Sequence, residues 1–265
     1  MSAARPGQAE QVPLWELGFG FTGLSIPDYR GSDERGGYLL PLPYVVYYGD
    51  LLKIDRQGIY SRLFHTERVH LDLSADASVP VKSKDNSARH GMPDLDPTFE
   101  IGPSLEVCVS PKCKGERVWM FRLPMRAVIA SDFSHVESAG WVLNPHINFD
   151  AQNLGPGGAW NFGVAAGPMF ANRRFHEYYY GVAPAYATAT RPAYQVRGGY
   201  SGFRVASAVS KRFDNFWLGM FARYDDLSGV TFDDSSLLRT KHAFLAGFGV
   251  AWVFARSSTL VESRP

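Results

Sequence analysis

From residue 242 to 254, every second position carries a larger apolar side chain or an alanine: Phe244, Ala246, Phe248, Val250, Trp252 and Phe254. Between them stand mostly small residues: Ala243, Leu245, Gly247, Gly249, Ala251 and Val253. A strand turns successive side chains to opposite faces. The segment therefore predicts a strand with one broad apolar face and one face with room above it. The same period recurs in 69–79, where Val69, Leu71, Leu73, Ala75, Ala77 and Val79 alternate with His70, Asp72, Ser74, Asp76 and Ser78. Residues 98–109, 119–129, 141–149 and 160–170 repeat the pattern, and less regular strands are predicted over 14–26, 38–48, 51–63, 178–188, 200–210 and 216–224. The total is twelve.

Many of these segments are ten residues or longer. That is close to the ~9–11 of a tilted membrane-spanning strand, whereas soluble strands are usually ~5–6. No stretch approaches the ~20 consecutive apolar residues of a transmembrane helix. A barrel escapes that test because lipid-facing and lumen-facing residues alternate. Trp15, Tyr47, Tyr48, Trp119, Trp141, Trp160, Tyr178, Tyr224 and Trp252 fall near segment ends, as aromatic girdles would. The predicted fold is all-β: a transmembrane antiparallel up-and-down β-barrel of about twelve strands over 14–254, after a flexible segment 1–13 and before a tail 255–265. The soluble alternative is a β-sandwich or lipocalin-like barrel, whose apolar faces would pack inward.

Gly49-Asp50 and Asp214-Asn215 read as tight turns. Residues 27–37, 189–199 and 225–241 read as longer loops. With the first strand running outward, these loops are extracellular, and the tight turns and both chain ends periplasmic. The same count puts the long polar segment 82–96 in the periplasm. Pro41, Pro43, Pro103, Pro124, Pro145, Pro168 and Pro184 lie within predicted strands, where each removes a ladder donor and calls for a bulge or edge. Arg56 shares the parity of Leu52 and Ile54, so it belongs near an interface or marks a register shift.

Composition adds little. The chain has 265 residues, 45% hydrophobic and 14% aromatic, with 26 glycines and a net charge of +1. That charge gives no argument for nucleic-acid binding. Residues 1–13 contain no apolar core of a signal peptide; for an exported barrel this implies a trimmed mature sequence or a misassigned start.

The inward parity carries both signs of charge: Glu16, Asp72, Asp76, Glu100, Glu106, Arg122, Arg126, Asp150 and Arg204. These residues line a pore or solute site, or they form an ion-pair network that fills a closed lumen; mixed signs favour the network. Asp72 and Asp76 lie ~13 Å apart along a strand, beyond the ~5–9.5 Å of glycosidase carboxylates. The histidines have no metal-binding spacing, and no GxSxG motif is present. No catalytic residue, metal or cofactor is therefore predicted. Acidic and basic residues in 27–37 and 225–240 read as solvated loop tips. Cys108 and Cys113 either close a small disulfide loop, as an oxidising compartment favours, or remain two thiols at a strand end.

Pro27-Asp28-Tyr29-Arg30-Gly31-Ser32, followed by Leu40-Pro41-Leu42-Pro43, resembles the MipA/OmpV family of Gram-negative outer-membrane proteins. Gly49-Asp50 with Gly58, Tyr178-Tyr179-Tyr180-Gly181-Val182 and the closing GFGVAWVF that ends at Phe254 are similar to further segments of that family. The resemblance runs in order from about residue 14, with eleven residues beyond the closing aromatic. It implies a monomeric barrel amid outer-membrane lipid and lipopolysaccharide. It also implies a non-enzymatic scaffold linking a lytic transglycosylase to a penicillin-binding protein, or alternatively a porin-like channel. No partner-contact residue carries over.

Overall fold

Alternation closes this chain into a barrel. The computed structural model describes residues 11–48, 52–55, 58–61, 64–113, 115–132, 134–155 and 160–262. The strands are β1 (Gln11–Pro13), β2 (Trp15–Pro27), β3 (Arg35–Tyr48), β4 (Leu52–Asp55), β5 (Gly58–Ser61), β6 (Phe64–His65), β7 (Val69–Ala77), β8 (Thr98–Cys108), β9 (Arg117–Ser131), β10 (Val136–Leu143), β11 (His146–Leu154), β12 (Trp160–Ala171), β13 (Gly199–Arg212), β14 (Phe216–Asp226), β15 (His242–Arg256) and β16 (Leu260–Glu262). One helix, α1 (Arg173–Tyr180), interrupts them.

The main sheet is antiparallel throughout and runs β5-β4-β3-β2-β15-β14-β13-β12-β10-β9-β8-β7-β6. β10 and β11 both pair with β9 and with β12, so they form one strand broken at Asn144-Pro145. β5 and β6 are consecutive in the chain, and β5 lies alongside β7, which joins the two ends of the order. Counting each broken strand once gives twelve wall positions among the described residues. No helix of the described residues is long and apolar enough to cross a membrane.

The outer face is apolar. On β15, Phe244, Phe248, Val250, Trp252 and Phe254 are exposed, while Ala243, Ala251 and Val253 are buried. Phe19 and Phe21 of β2, Ile101 of β8, Trp119 of β9, Phe162 of β12 and Met220 of β14 continue this exposed belt around the wall. Trp119, Trp160 and Trp252 mark its short-turn end; Phe203, Tyr224 and Phe244 mark the other. An outward belt between aromatic rims is the arrangement that lipid requires. The soluble alternative would bury those side chains.

Two predicted strands are corrected, and the errors offset each other in the count. Residues 51–63 are not one strand, because β4 and β5 pair with each other as a hairpin. Residues 178–188 are not a strand: Tyr178, Tyr179 and Tyr180 end α1, and Pro184–Tyr186 is a single 3-10 turn. The extra strand from the hairpin reverses every strand from 69 to 170 relative to the prediction. Residues 82–96 therefore lie at the long-loop end and not with the short turns. Gly49-Asp50 and Arg56 lie outside the described residues, and Asp214-Asn215 sits in the turn closed by Phe213 N–H to Phe216 O at 2.8 Å.

Five of the seven prolines sit at a break, a register shift, a turn or an edge, while Pro103 and Pro124 fall inside paired interior strands. Pro145 occupies the break between β10 and β11. Pro168 adjoins a register shift, and Pro184 is in the 3-10 turn. β4 pairs with β3 only at Tyr47 and Tyr48, so among the described residues the rest of β3, with Pro41 and Pro43, is an edge, where proline is admitted. Part of each terminal segment is strand too: β1 pairs with β16 at the short-turn end, and β15 runs past Phe254 to Arg256.

Candidate functional site: a capped lumen

Four connections fold together over the long-loop end: 28–34, 78–97, 172–198 and 227–241. Their shared core is Tyr29, Val81, Leu95, Tyr180, Val196, Leu227, Val230 and Phe232. The Tyr180 and Phe232 rings stack at 3.7 Å between centroids. α1 forms because Asn172 caps it, accepting the Phe175 N–H at 3.1 Å. Its pairs Phe175/Tyr179 and His176/Tyr180 then fall four residues apart on one side, with ring centroids 5.0 and 6.3 Å apart. Gly181 ends the helix, and Pro184 follows.

Polar bonds tie the connections to one another. Tyr29 Oη–H donates to Leu237 O at 2.8 Å, and Tyr180 Oη–H donates to Arg30 O at 2.7 Å. Asn86 Nδ2 donates to Asp28 Oδ2 at 2.8 Å. Arg89 Nη1 donates to Tyr179 O at 3.2 Å, and Arg191 Nη1 to Ala88 O at 2.8 Å. Gly31 has φ of +92°, and a Cβ there would strike Leu238; glycine is what this turn admits. Two of the resemblance motifs, Pro27–Ser32 and Tyr178–Val182, thus meet in the cap through the Tyr180–Arg30 bond.

Arg30 reaches down from the cap into the barrel. Its Nη2 donates to Ser201 O at 2.7 Å, and its Nε lies 3.5 Å from Asp225 Oδ1. Arg204 Nε donates to Asp225 Oδ1 at 2.7 Å, and Arg223 Nε forms an ion pair with Asp225 Oδ2 at 3.2 Å. One carboxylate, 1% exposed, is shared by three guanidinium groups.

The charged positions of the inward parity sit as follows. Glu16 Oε2 meets Arg212 Nη1 at 2.8 Å, and Tyr44 Oη joins the pair. Glu100 Oε2 meets Arg126 Nε at 2.9 Å, with Asp76 3.9 Å from the same guanidinium. Glu106 meets Arg122 at 3.2 Å. Asp150 accepts a hydrogen bond from Asn148 Nδ2. Asp72 is buried on β7, opposite Ser104. Near the short turns, Tyr44, Val46, Ala251 and Val253 pack with Trp217 into an apolar cluster. Between that cluster and the cap lies a cavity of about 600 Å³.

Sequence reasoning missed Arg30, Arg212, Arg223 and Asp225. The signal for two of them was present: extending the alternation of Trp217, Gly219 and Phe221 places Arg223 and Asp225 on the same inner face. Cys108 and Cys113 are joined at the short-turn end, their Cα atoms 5.8 Å apart. No group of three or more His, Cys, Asp or Glu side chains among the described residues is arranged to hold a metal ion.

An antiparallel barrel wall, an apolar outer belt and a charged interior define a bacterial outer-membrane β-barrel. Residues 19–254 match the family model described as MltA-interacting protein MipA, and the chain belongs to that family. No curated protein matches it by sequence. Among solved structures, it is similar to an outer membrane channel from Pseudomonas putida F1, with 13% identity and a TM-score of 0.45 over 95% of this chain and 100% of that one. It is also similar to a Pseudomonas aeruginosa FadL homologue, with 10% identity and a TM-score of 0.35 over 89% and 67%. A third is the outer membrane protein OprG from Pseudomonas aeruginosa, with 9% identity and a TM-score of 0.24 over 92% and 95%.

Proposed function

We propose that this barrel is a non-enzymatic scaffold of the cell envelope, linking peptidoglycan-remodelling enzymes of the lytic transglycosylase and penicillin-binding classes. The observation that carries the reading is obstruction of the lumen at both ends. The cap lies over one, and the Glu16–Arg212 pair with the Tyr44–Trp217 cluster reaches across the other. The description of its family, MltA-interacting protein, supports it. Outer-membrane barrels keep short turns on the periplasmic side. The enzymes would then meet the short-turn end. There the loop after β8 is held by its disulfide and by Arg68, whose Nη1 and Nη2 donate to Ser110 O at 3.2 Å and Pro111 O at 3.1 Å. Crosslinking in intact envelopes followed by purification of the barrel tests the reading. Recovery of murein hydrolases or synthases is expected, and their absence would remove it.

A porin-like channel for small solutes is the second reading, favoured by the charged cavity. It requires both the cap and the short-turn cluster to move. Stepwise conductance in planar bilayers would support it, and a silent bilayer would eliminate it.

A further inference from the structure

The two sides of the cavity differ. One is apolar: Leu24 of β2, Ala206 and Ala208 of β13, Phe221 of β14 and Leu245 of β15, roofed by Tyr180. Phe221 shares the inward parity of Trp217 and Arg223 yet is 38% exposed. Contact with lipid does not explain that exposure, because the ring faces the lumen. The cavity's size falls within the ~300–1,000 Å³ of small-molecule sites.

Arg204 and Arg223 stand directly above this apolar side, each two residues nearer the cap than Ala206 and Phe221. With Arg30 they place three positive charges around the single negative charge of Asp225, an excess of two. On the facing wall, Asp76 and Glu100 share Arg126, an excess of one negative charge, and Asp150 and the Glu106-paired Arg122 also line the cavity there. Arg223 is the most open of the three arginines, its side chain 25% exposed against 13% for Arg204 and 10% for Arg30. A guanidinium presents a planar fork of donors that matches a carboxylate.

We propose that the cavity is a binding site for a small amphipathic carboxylate. The acid group sits against Arg204 and Arg223, and the apolar body lies along Phe221, Leu24 and Leu245. The site is independent of the scaffold reading: failure to recover enzymes by crosslinking leaves its occupancy unaffected.

The test is calorimetric titration of the full chain in detergent with three soluble probes of one ring: phenylacetate, phenethyl alcohol and phenethylamine. Phenylacetate should bind saturably, about tenfold or more tighter than the other two, or ~1.4 kcal/mol. Arg223→Gln should remove that preference while leaving the alcohol unchanged, and Arg223→Lys should retain part of it. Phe221→Ala should weaken all three probes. Folding of each variant is checked by the mobility difference between heated and unheated samples. Equal affinity for the three probes would overturn the proposal. So would preference for the amine, which assigns the cavity to the Asp76 side, or absence of saturable binding. The ranking of probes on the unmodified chain decides the matter even if a variant does not fold.

Discussion

Arg212 Nη1 of β13 lies 2.8 Å from Glu16 Oε2 of β2, and its Nη2 lies 2.9 Å from Glu16 Oε1. In the sheet order β14 and β15 stand between these two strands. The bidentate pair is therefore a chord inside the barrel, not a neighbour contact along the wall. Tyr44 Oη completes it, accepting from Arg212 at 2.9 Å.

Removing Glu16 leaves a half-buried guanidinium without its carboxylate. Glu16→Ala should cost about 2 kcal/mol, the scale of a charge-assisted hydrogen-bonded pair. Arg212→Ala should cost a similar amount, and the double variant should cost less than the sum of the two. Urea unfolding in detergent measures all three. Additive costs would show that the chord does not couple the two strands.

The cap predicts a separable loss of order. Tyr180 is 1% exposed, stacks on Phe232 and holds Arg30 O. Tyr180→Ala should destabilise the cap by roughly 3–5 kcal/mol, as for other buried aromatic truncations. The barrel wall has its own ladder and should persist. Limited proteolysis is then expected to cut within 78–97 or 227–241 in the variant, at protease levels that leave the parent intact. Cleavage at the same rate in both would mean that the cap does not depend on this stack.

His176 makes the cap sensitive to acid. The residue is fully buried, and its Nδ1–H donates to Arg197 O at 2.6 Å. Nε2 has no hydrogen-bond partner. Burial, opposed by the Arg197 carbonyl and aided by the positive charge of Arg30, holds its pKa below the ordinary 6.5. The native cap thus resists a proton that the opened cap accepts. Its stability is full above pH 6.5 and falls as pH drops from there toward the depressed native value. Hydrogen exchange of the cap amides at neutral and mildly acidic pH should show faster opening in acid. His176→Phe should flatten that dependence; an unchanged slope would assign it to another group.

Most of the wall was legible in the sequence, because a period of two survives wherever lipid lies on one side and water on the other. β15 and much of β12 follow their predicted alternation. The β4–β5 hairpin was not legible: Arg56 and Gln57, between Asp55 and Gly58, carry no turn signature. Residues 178–188 failed for the opposite reason. Tyr178, Tyr180 and Val182 alternate like a strand, but the Asn172 cap and four-residue ring pairs win and make a helix.

The sequence by itself determined that this chain spans the outer membrane with strands, each carrying an apolar and a polar parity. Facing is a local property, fixed by the pleat of each strand. The tertiary structure alone decided strand direction between 69 and 170, the gathering of four connections into one cap, and the sharing of Asp225 by Arg30, Arg204 and Arg223. Those depend on which strands become neighbours when the sheet closes, and no local period encodes that.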